Sequence, residues 1–233
     1  FRALDPSRVA MVDLELPRGF FDEYHCPSEV EIGVRLDWLL DVAGRGKAKQ
    51  AVAIECDGKR LKHEFSGRGG DDGTGSGGGN EGAGQSRVKG GTGPRRRLWI
   101  PLVSCKRESY SPRFSFTATV KLPASIFEEA IRSLSLWGNA KISVDEKSFK
   151  ISAGDERGDA EVDLSQEAIS YEVSEAASAR YNLAFLSAFV KPSRLADVAI
   201  ISLSKEMPIK ITYPLAAGGV IAYYLAPWVD IDV

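Results

Sequence analysis

A long internal repeat constrains the fold of this chain more than any other feature of its sequence. The stretch RLDWLLDVAGRGKAKQAVAIECDGKRLKHEF (35–65) resembles the later stretch NLAFLSAFVKPSRLADVAIISLSKEMPIKITY (182–213). Each predicts a helix, a basic turn, an alternating strand, a short turn and a second strand. Equivalent apolar positions are Leu36, Leu39, Val52 and Ile54 in the first copy and Leu183, Leu186, Ala199 and Ile201 in the second. We therefore predict an α+β chain of two tandem, similarly folded domains, each a sheet with two helices on one face.

The second copy begins with a strand and a helix that have no counterpart after Phe1. FSFTATVKL predicts the strand, and PASIFEEAIRSLSLWGN predicts the helix, with Pro123 in its first turn. One apolar stripe follows this helix through Ile126, Phe127, Ala130, Ile131 and Leu134. By the logic of the repeat, we expect a strand, a helix and part of a second strand, about 30 residues, to be absent at the N-terminus. A shortened first domain is the alternative.

A glycine-rich segment, 66–93, interrupts the first copy. It has few apolar side chains and cannot offset its ordering entropy by burial, so we expect a flexible insertion. Because strand-like sequence enters and leaves it, the insertion is predicted to lie at the tip of a hairpin. The later polar stretch SCKRESYSPRFS (104–115) is the better candidate for the linker between the two domains. The predicted boundaries are 1–100 for the first domain, 101–115 for the connector and 116–233 for the second domain.

Charge and cysteine content limit the classes of function. With 30 Lys and Arg against 32 Asp and Glu, the formal net charge is −2, so a contact with nucleic acid requires a local concentration of basic residues. The three cysteines form no CxxC pair, which disfavours a disulfide framework and a zinc site and favours a reducing cytoplasm. The apolar stretches are too short to cross a bilayer and no leader opens the chain, so neither membrane insertion nor secretion is expected.

The sequence contains no convincing catalytic motif. GTGSGG matches a dinucleotide-binding pattern only within a glycine run, and GRGKAK has Ala48 where a phosphate-binding loop needs a hydroxyl residue. His25 and His63 have no paired ligand nearby, which disfavours a metal site. Glu128 and Glu129 point in different directions on one helix and are interpreted as its solvated face. We therefore predict that the protein is not an enzyme and binds neither a metal nor a cofactor.

Four stretches together indicate a family; ALDPSRVAMV (3–12) and YYLAP are the specific parts, and the rest is similarity of strand pattern. The four stretches are RALDPSRVAMVDLELP (2–17), GFFDEYHC (19–26), IGVRLDWLLDVAGRGKAK (32–49) and YYLAP (223–227). In this order they resemble the proliferating cell nuclear antigen family of sliding clamps, and the basic turn is similar to that of archaeal members. The resemblance spans nearly the whole chain outside the insertion. It implies a ring of three two-domain subunits, with sheets outside and helices lining a central channel.

The same resemblance implies a function and a set of partners. A clamp encircles duplex DNA as a processivity factor in replication and repair. It tethers DNA polymerase, flap endonuclease, DNA ligase and the clamp loader through short peptide motifs, and it catalyses no reaction itself. An archaeal clamp is expected in the cytoplasm, at the nucleoid. A homotrimer and a heterotrimer both remain open.

Six basic residues are candidates for the channel. A clamp must slide, so it is expected to contact phosphates without reading bases. The candidates are Arg45, Lys47, Lys49, Arg132, Lys191 and Arg194. Of these, Arg132 and Lys191 match basic positions of the family's channel helices. Trp38, Asp41 and Ala184 stand where other members often have lysine or arginine, which predicts a weakly basic channel. For each of the six taken singly, a solvated surface is the alternative.

The apolar C-terminal stretch YYLAPWV is the second candidate site. In the family this strand packs beside the ALDPSRV turn and forms a shallow pocket for the partner motif Gln-x-x-Leu-x-x-aromatic-aromatic. The resemblance assigns one wall to Leu4, Arg8, Val9 and Met11, and the other to Met207, Pro208, Tyr224, Ala226 and Pro227. Ordinary core packing is the alternative for the apolar members. The connector departs from the family at Ser109 and Ser111, where Tyr110, Pro112 or Phe114 could substitute.

Ring closure requires an exposed edge strand in each domain. The resemblance places these edges at 95–100 and 158–165, and pairing them head to tail would remove an aggregation hazard.

Two other classes of function stay open. One is a clamp-like, peptide-binding adaptor that does not close a ring. The other is an enzyme on a repeated α+β fold, which the lack of a catalytic motif disfavours.

Overall fold

The computed structural model describes residues 1–47, 50–67, 95–104 and 114–229. By contacts, the chain divides into a larger unit, Phe1–His25 with Pro112–Val233, and a smaller unit, Cys26–Ser111. Among the described residues, no helix has both the length and the apolar character needed to cross a membrane.

Strands predominate over helices in both units. In chain order the elements are β1 (Arg2–Leu4), β2 (Ala10–Glu15), α1 (Leu36–Ala43), β3 (Gln50–Cys56), β4 (Arg60–Gly67), β5 (Arg96–Pro101), β6 (Ala118–Pro123), α2 (Ala124–Ser133), β7 (Asn139–Val144), β8 (Phe149–Asp155), β9 (Gly158–Asp163), β10 (Ser170–Val173), β11 (Ala177–Asn182), α3 (Leu183–Phe189), β12 (Val198–Leu203), β13 (Ile209–Pro214) and β14 (Val220–Leu225). A 3₁₀ helix, Lys191–Arg194, follows α3. This order confirms the predicted repeat, since α1, β3 and β4 recur as α3, β12 and β13.

The larger unit has two antiparallel sheets that share one core with α2 and α3. The strand orders are β1-β2-β14-β13-β12-β6-β10 and β11-β7-β8-β9. Phe127 and Ile131 of α2 are fully buried in this core, together with Leu186 of α3 and Ile201 of β12. The predicted apolar stripe of α2 is therefore confirmed. The helix itself begins at Ala124, one residue later than predicted.

The smaller unit consists of α1 and the antiparallel sheet β3-β4-β5. Strands β4 and β5 are neighbours, and Phe65 is paired with Arg96. The glycine-rich insertion thus connects two adjacent antiparallel strands, which confirms its predicted position in a hairpin. Apart from Ser66 and Gly67 at the end of β4, the residues of the insertion lie outside the described part of the chain. Its flexibility therefore stays a prediction.

Equivalent positions of the two copies differ in exposure. Ala199 and Ile201 of β12 are fully buried, because β6 pairs with this strand and α2 packs nearby. Their counterparts Val52 and Ile54 of β3 are 52% and 57% exposed. Within the described residues, β3 pairs only with β4. The smaller unit therefore exposes apolar positions that the larger unit buries, and the expected absence of a strand and a helix stays a prediction.

The N-terminal strands belong by contacts to the sheet of the second copy. β2 pairs with β14, with Met11 opposite Tyr224 and Asp13 opposite Ala222. The compact units consequently divide the chain differently from the predicted boundaries at 1–100, 101–115 and 116–233, which stay predictions. This strand pair brings the two ends of the sequence together at one candidate site.

Candidate functional sites

A tight turn between β1 and β2 is held by Asp5. Its Oδ1 accepts a hydrogen bond from the Ala10 amide at 2.6 Å, and its Oδ2 accepts one from the Ser7 amide at 3.0 Å. Burial opposes ionisation of Asp5, but the hydrogen bonds from Ser7 and Ala10 outweigh it and lower the pKa of the carboxyl. Arg8 has a φ of 60°, in the left-handed region. The sequence ALDPSRV thus sets the geometry with which the chain enters β2.

Strand register places most of the predicted pocket residues on one face of the seven-stranded sheet. Leu4, Met11 and Tyr224 lie opposite one another across β1, β2 and β14. Beyond them, the Ala226 amide donates to the Val9 carbonyl at 2.8 Å. Ile209 pairs with Leu225, and continuing this antiparallel register by one residue places Pro208 opposite Ala226. We call Leu4, Val9, Met11, Pro208, Tyr224 and Ala226 the outer patch.

The outer patch is apolar and partly open to solvent. Leu4 and Val9 are 36% and 37% exposed, and the neighbouring Met207 is 39% exposed. The remaining members are half-buried, as is Pro227, except for Met11, which is only 4% exposed. Met11 therefore forms the floor of the patch rather than an open wall. An apolar surface of this kind is typical of a binding site for another molecule.

Two further residues contact the patch through Tyr224. The ring of Phe114 lies 6.4 Å from the ring of Tyr224, between centroids, and Nζ of Lys210 lies 5.6 Å from that ring. Phe114 was one of the three predicted substitutes in the connector, and Tyr110 and Pro112 lie outside the described residues. The sequence analysis missed Lys210, although the alternation in PIKITY places it on the face opposite Ile209 and Ile211.

A groove of about 400 Å³ lies next to the C-terminal end of β14. Its lining includes Lys141, Arg180, Glu206 and Trp228. The Trp228 amide donates to the Arg180 carbonyl at 2.7 Å, which brings the residues after Pro227 against β11. Of these four residues, the sequence analysis included only Trp228, within YYLAPWV; it missed Lys141, Arg180 and Glu206, because tertiary packing brings them together.

The candidate channel residue Arg132 lies in an ion-paired group on α2. Its guanidinium is 2.5 Å from a carboxylate oxygen of Glu128, one helical turn away, and the Ser193 hydroxyl donates to the other oxygen of that carboxylate. The hydrogen bond from Ser193 and the charge of Arg132 lower the pKa of Glu128 against the opposing effect of burial. Glu128 is therefore a paired anion beside the candidate cations. Its interpretation as part of a solvated helix face is wrong, because its side chain is only 16% exposed.

The other basic candidates are solvent-exposed residues that follow helices. Lys191 and Arg194 lie on the 3₁₀ helix after α3, and Arg194 lines a shallow groove that also includes Glu128 and Arg132. In the smaller unit, Arg45 and Lys47 are exposed after α1, and Lys49 lies outside the described residues. In each unit the basic residues come directly after a helix C-terminus, a position that favours cations and leaves their charges accessible to an anionic partner.

Two family models match the chain in succession. The N-terminal domain of proliferating cell nuclear antigen matches residues 1–64, and its C-terminal domain matches residues 111–228. The matches include both copies of the repeat and both ends of the outer patch.

Several relatives align over nearly the whole chain, and each is named a DNA polymerase sliding clamp. That of Thermofilum pendens is 31% identical over 232 residues, covering 97% of this chain and 84% of the relative. Those of Pyrococcus abyssi and Thermococcus onnurineus are 30% and 28% identical, and each alignment covers 98% of this chain and 84% of the relative. The similarity to clamps is therefore not confined to one domain.

Proposed function

The chain belongs to the proliferating cell nuclear antigen family, and from this premise we propose that it closes a ring with two further clamp subunits around duplex DNA. Its function is that of a DNA sliding clamp, a processivity factor of DNA replication. The successive match of both domain models is the observation that carries this function. Sliding clamps are scaffolds, and we propose that this subunit likewise catalyses no reaction and works at the nucleoid, in the cytoplasm.

We propose that the channel contacts DNA through phosphates only. The exposed cations are Lys191, Arg194 and Arg132 in the larger unit, and Arg45 and Lys47 in the smaller one. Lys49 completes the proposed set. Long, exposed cationic side chains suit contacts with phosphates that shift as the clamp slides, and such contacts contain no information about base sequence. Affinity should therefore depend on salt and not on DNA sequence.

We propose that the outer patch binds the motif Gln-x-x-Leu-x-x-aromatic-aromatic of partner enzymes. DNA polymerase, flap endonuclease, DNA ligase and the clamp loader are the proposed partners. The partly open apolar surface of Leu4, Val9 and Met207 suits leucine and aromatic anchors, which commonly dominate such interfaces. Arg8 and Pro227 flank this surface at the turn and at the C-terminal end. Tyr224 supplies its aromatic centre and contacts Phe114.

The ring is tested by mass and by retention on DNA. The wild-type chain, alone and mixed with related clamp subunits, should give a trimer by light scattering and should remain on closed circular DNA after loading. Linearising the DNA should release it, because a ring slides off a free end. A monomer or dimer that binds the peptide but is never retained would instead support the adaptor.

The peptide site is tested with Pro227→Glu. Because Pro227 is half-buried at the patch, a carboxylate there should block the apolar anchors without unfolding the chain. Affinity for a fluorescent peptide should fall about thirtyfold, or about 2 kcal/mol. Pro214→Glu, at the exposed far end of β13, is the matched control and should bind normally. A folded Pro227→Glu variant with wild-type peptide affinity would exclude this site.

A further inference from the structure

Two cations lie directly opposite each other on the neighbouring strands β7 and β11. Lys141 is paired with Arg180 in the antiparallel register of these strands. Ile142 and Ala179, the next residues along each strand, are buried in the core, so Lys141 and Arg180 share the outer face, where both are exposed. Like charges directly opposite each other on a sheet are destabilising. An anion bound between them would relieve this repulsion.

The two cations line the groove of about 400 Å³ beside the end of β14, which we call the C-terminal groove. Two backbone hydrogen bonds hold its other lining segments against β11. The Trp228 amide donates to the Arg180 carbonyl at 2.7 Å, and the Glu206 amide donates to the Ser178 carbonyl at 3.1 Å. The groove is therefore built by backbone contacts between three segments of the larger unit.

The described lining of the C-terminal groove has excess positive charge. Lys141 and Arg180 are its cations, and among these lining residues the one carboxylate is that of Glu206. The side chain of Trp228 is 44% exposed and adds an apolar wall. A ligand with one or two carboxylates and some apolar surface complements such a lining.

The C-terminal groove adjoins the outer patch along the chain. Ala226, a member of the patch, donates to the Val9 carbonyl at 2.8 Å, and two residues later Trp228 donates to the Arg180 carbonyl. Two residues of chain span at most about 7 Å. A peptide that fills the patch therefore needs only a few further residues to reach the groove.

We propose that the C-terminal groove binds a short acidic segment that directly flanks the Gln-x-x-Leu-x-x-aromatic-aromatic motif of a partner enzyme. Carboxylates of this segment pair with Lys141 and Arg180, and its apolar atoms pack on Trp228. The inference rests on the proposed peptide site and adds a preference among partners. Motifs that fit the outer patch equally well are then distinguished by the charge beside them, since complementary charge contributes mainly to specificity.

Peptides that differ only in the charge of the flank test this preference. A fluorescent Gln-x-x-Leu-x-x-Phe-Phe peptide has two aspartates, two serines or two lysines, placed either before the glutamine or after the second phenylalanine. Since the groove adjoins the patch at Ala226, only one placement brings the flank next to it. There the aspartate peptide should bind about fivefold more tightly than the serine peptide, as two exposed ion pairs allow, and the lysine peptide more weakly. The difference should disappear in about 1 M salt.

Charge reversal assigns the preference to the two cations. Lys141→Glu with Arg180→Glu should invert the order of the aspartate and lysine peptides and leave the affinity of the serine peptide unchanged. Lys59→Glu with Lys147→Glu makes the same change in net charge at exposed turns and should keep the wild-type order. Circular dichroism checks folding. If the reversed variant does not fold, Lys141→Glu alone, which places opposite charges across from each other, should fold and lose the preference.

The outcomes separate the inference from the proposed peptide site. Equal affinity of the wild type for all three flanks in both placements would overturn the inference and leave the peptide site intact. The inference is also wrong if the folded reversed variant keeps the wild-type order, or if the control variant inverts it as well. Reduced retention on DNA with an unchanged peptide order would show that the groove contacts phosphates instead. If no peptide binds the wild type, the peptide site and the inference both fail.

Discussion

Tyr223 and Tyr224 are neighbours in β14 whose side chains lie on opposite faces of the sheet. The ring of Tyr223 stacks on Phe189 of α3, with centroids 4.4 Å apart, and burial raises the pKa of its hydroxyl. The ring of Tyr224 contacts Phe114 and Lys210 on the outer patch. The alternation of a β-strand thus assigns one tyrosine to the core and the next to a surface suited to partners.

The two tyrosines predict different effects for the same substitution by alanine, one on peptide affinity and the other on stability. Tyr224→Ala should lower affinity for the partner peptide by about 2 kcal/mol, about thirtyfold, because it removes an aromatic anchor. Tyr223→Ala should instead destabilise the fold by about 3 kcal/mol or more, because it leaves a cavity beside Phe189. Fluorescence anisotropy measures the first effect and denaturant unfolding the second. Loss of stability in Tyr224→Ala with unchanged peptide affinity would assign Tyr224 to the core instead.

Local pattern was sufficient to predict helices and strands of the second copy. The helical period of SIFEEAIRSL and the alternation of VAIIS are properties of neighbouring residues, so α2 and β12 follow from the sequence. The pairing of β2 with β14 is different, because the register of strands from opposite ends of the chain depends on tertiary packing. The resemblance supplied the members of the outer patch, but only the register shows that Met11 forms its floor.

Side-chain pairing was the least predictable part of the candidate sites. Glu128 looked like one of two solvated helix residues, and its contact with Ser193 joins elements far apart in the sequence. Helix periodicity indicates which residues share a face with Arg132, but not which residue of another element will approach them. The basic candidates could be named from the sequence, whereas the partial neutralisation of Arg132 by Glu128 could not.

The hairpin position of the insertion predicts that most of it can be removed. Gly67 ends β4 and Arg95 precedes β5, and these strands are already adjacent. Replacing residues 68–94 by a short Asn-Gly turn should therefore change the free energy of unfolding little, since loop-closure entropy varies slowly with length. A thermal melt and a polymerase stimulation assay check this. A large fall in melting temperature or in stimulation would show that the insertion has a role in stability or in partner binding.

His63 predicts a dependence of stability on pH. It lies in β4 between Ile54 and Leu98, is 3% exposed, and its Nδ1 has no hydrogen-bond partner within the described residues. Burial lowers its pKa below the ordinary value of 6.5. As pH falls through that value, the unfolded chain takes up the proton first, so the folded state loses stability.

The measurement compares melting temperatures between pH 8 and pH 5. His63→Leu should lose less stability over this range than the wild type does, because it lacks the titrating group. His25→Gln, at an exposed position, is the control and should follow the wild type. Parallel curves for His63→Leu and the wild type would rule out this origin of the pH dependence.

The ion pair between Arg132 and Glu128 predicts that Glu128 weakens the retention of the protein on DNA. The lowered pKa of Glu128 keeps its carboxylate charged at neutral pH, next to Arg132 and near Arg194. Glu128→Gln should therefore strengthen retention and steepen its salt dependence by about one charge, because Arg132 becomes available to phosphates. Loss of this helix pair should cost under about 1 kcal/mol of stability. Glu146→Gln, in the turn between β7 and β8, is the control for net charge.

Combining substitutions shows whether Glu128 acts through Arg132. If it does, Glu128→Gln with Arg132→Ala should bring retention back toward the wild-type value. Alanine at Arg45, Lys47, Lys49, Arg132 and Lys191 together should weaken retention equally on different DNA sequences while peptide binding persists. Lys191→Ala alone should cost more retention than Arg132→Ala alone, because the charge of Arg132 is already partly neutralised. Salt titrations of the retained fraction measure each effect. Equal retention in wild type, Glu128→Gln and the fivefold alanine variant would place this group of residues away from the DNA.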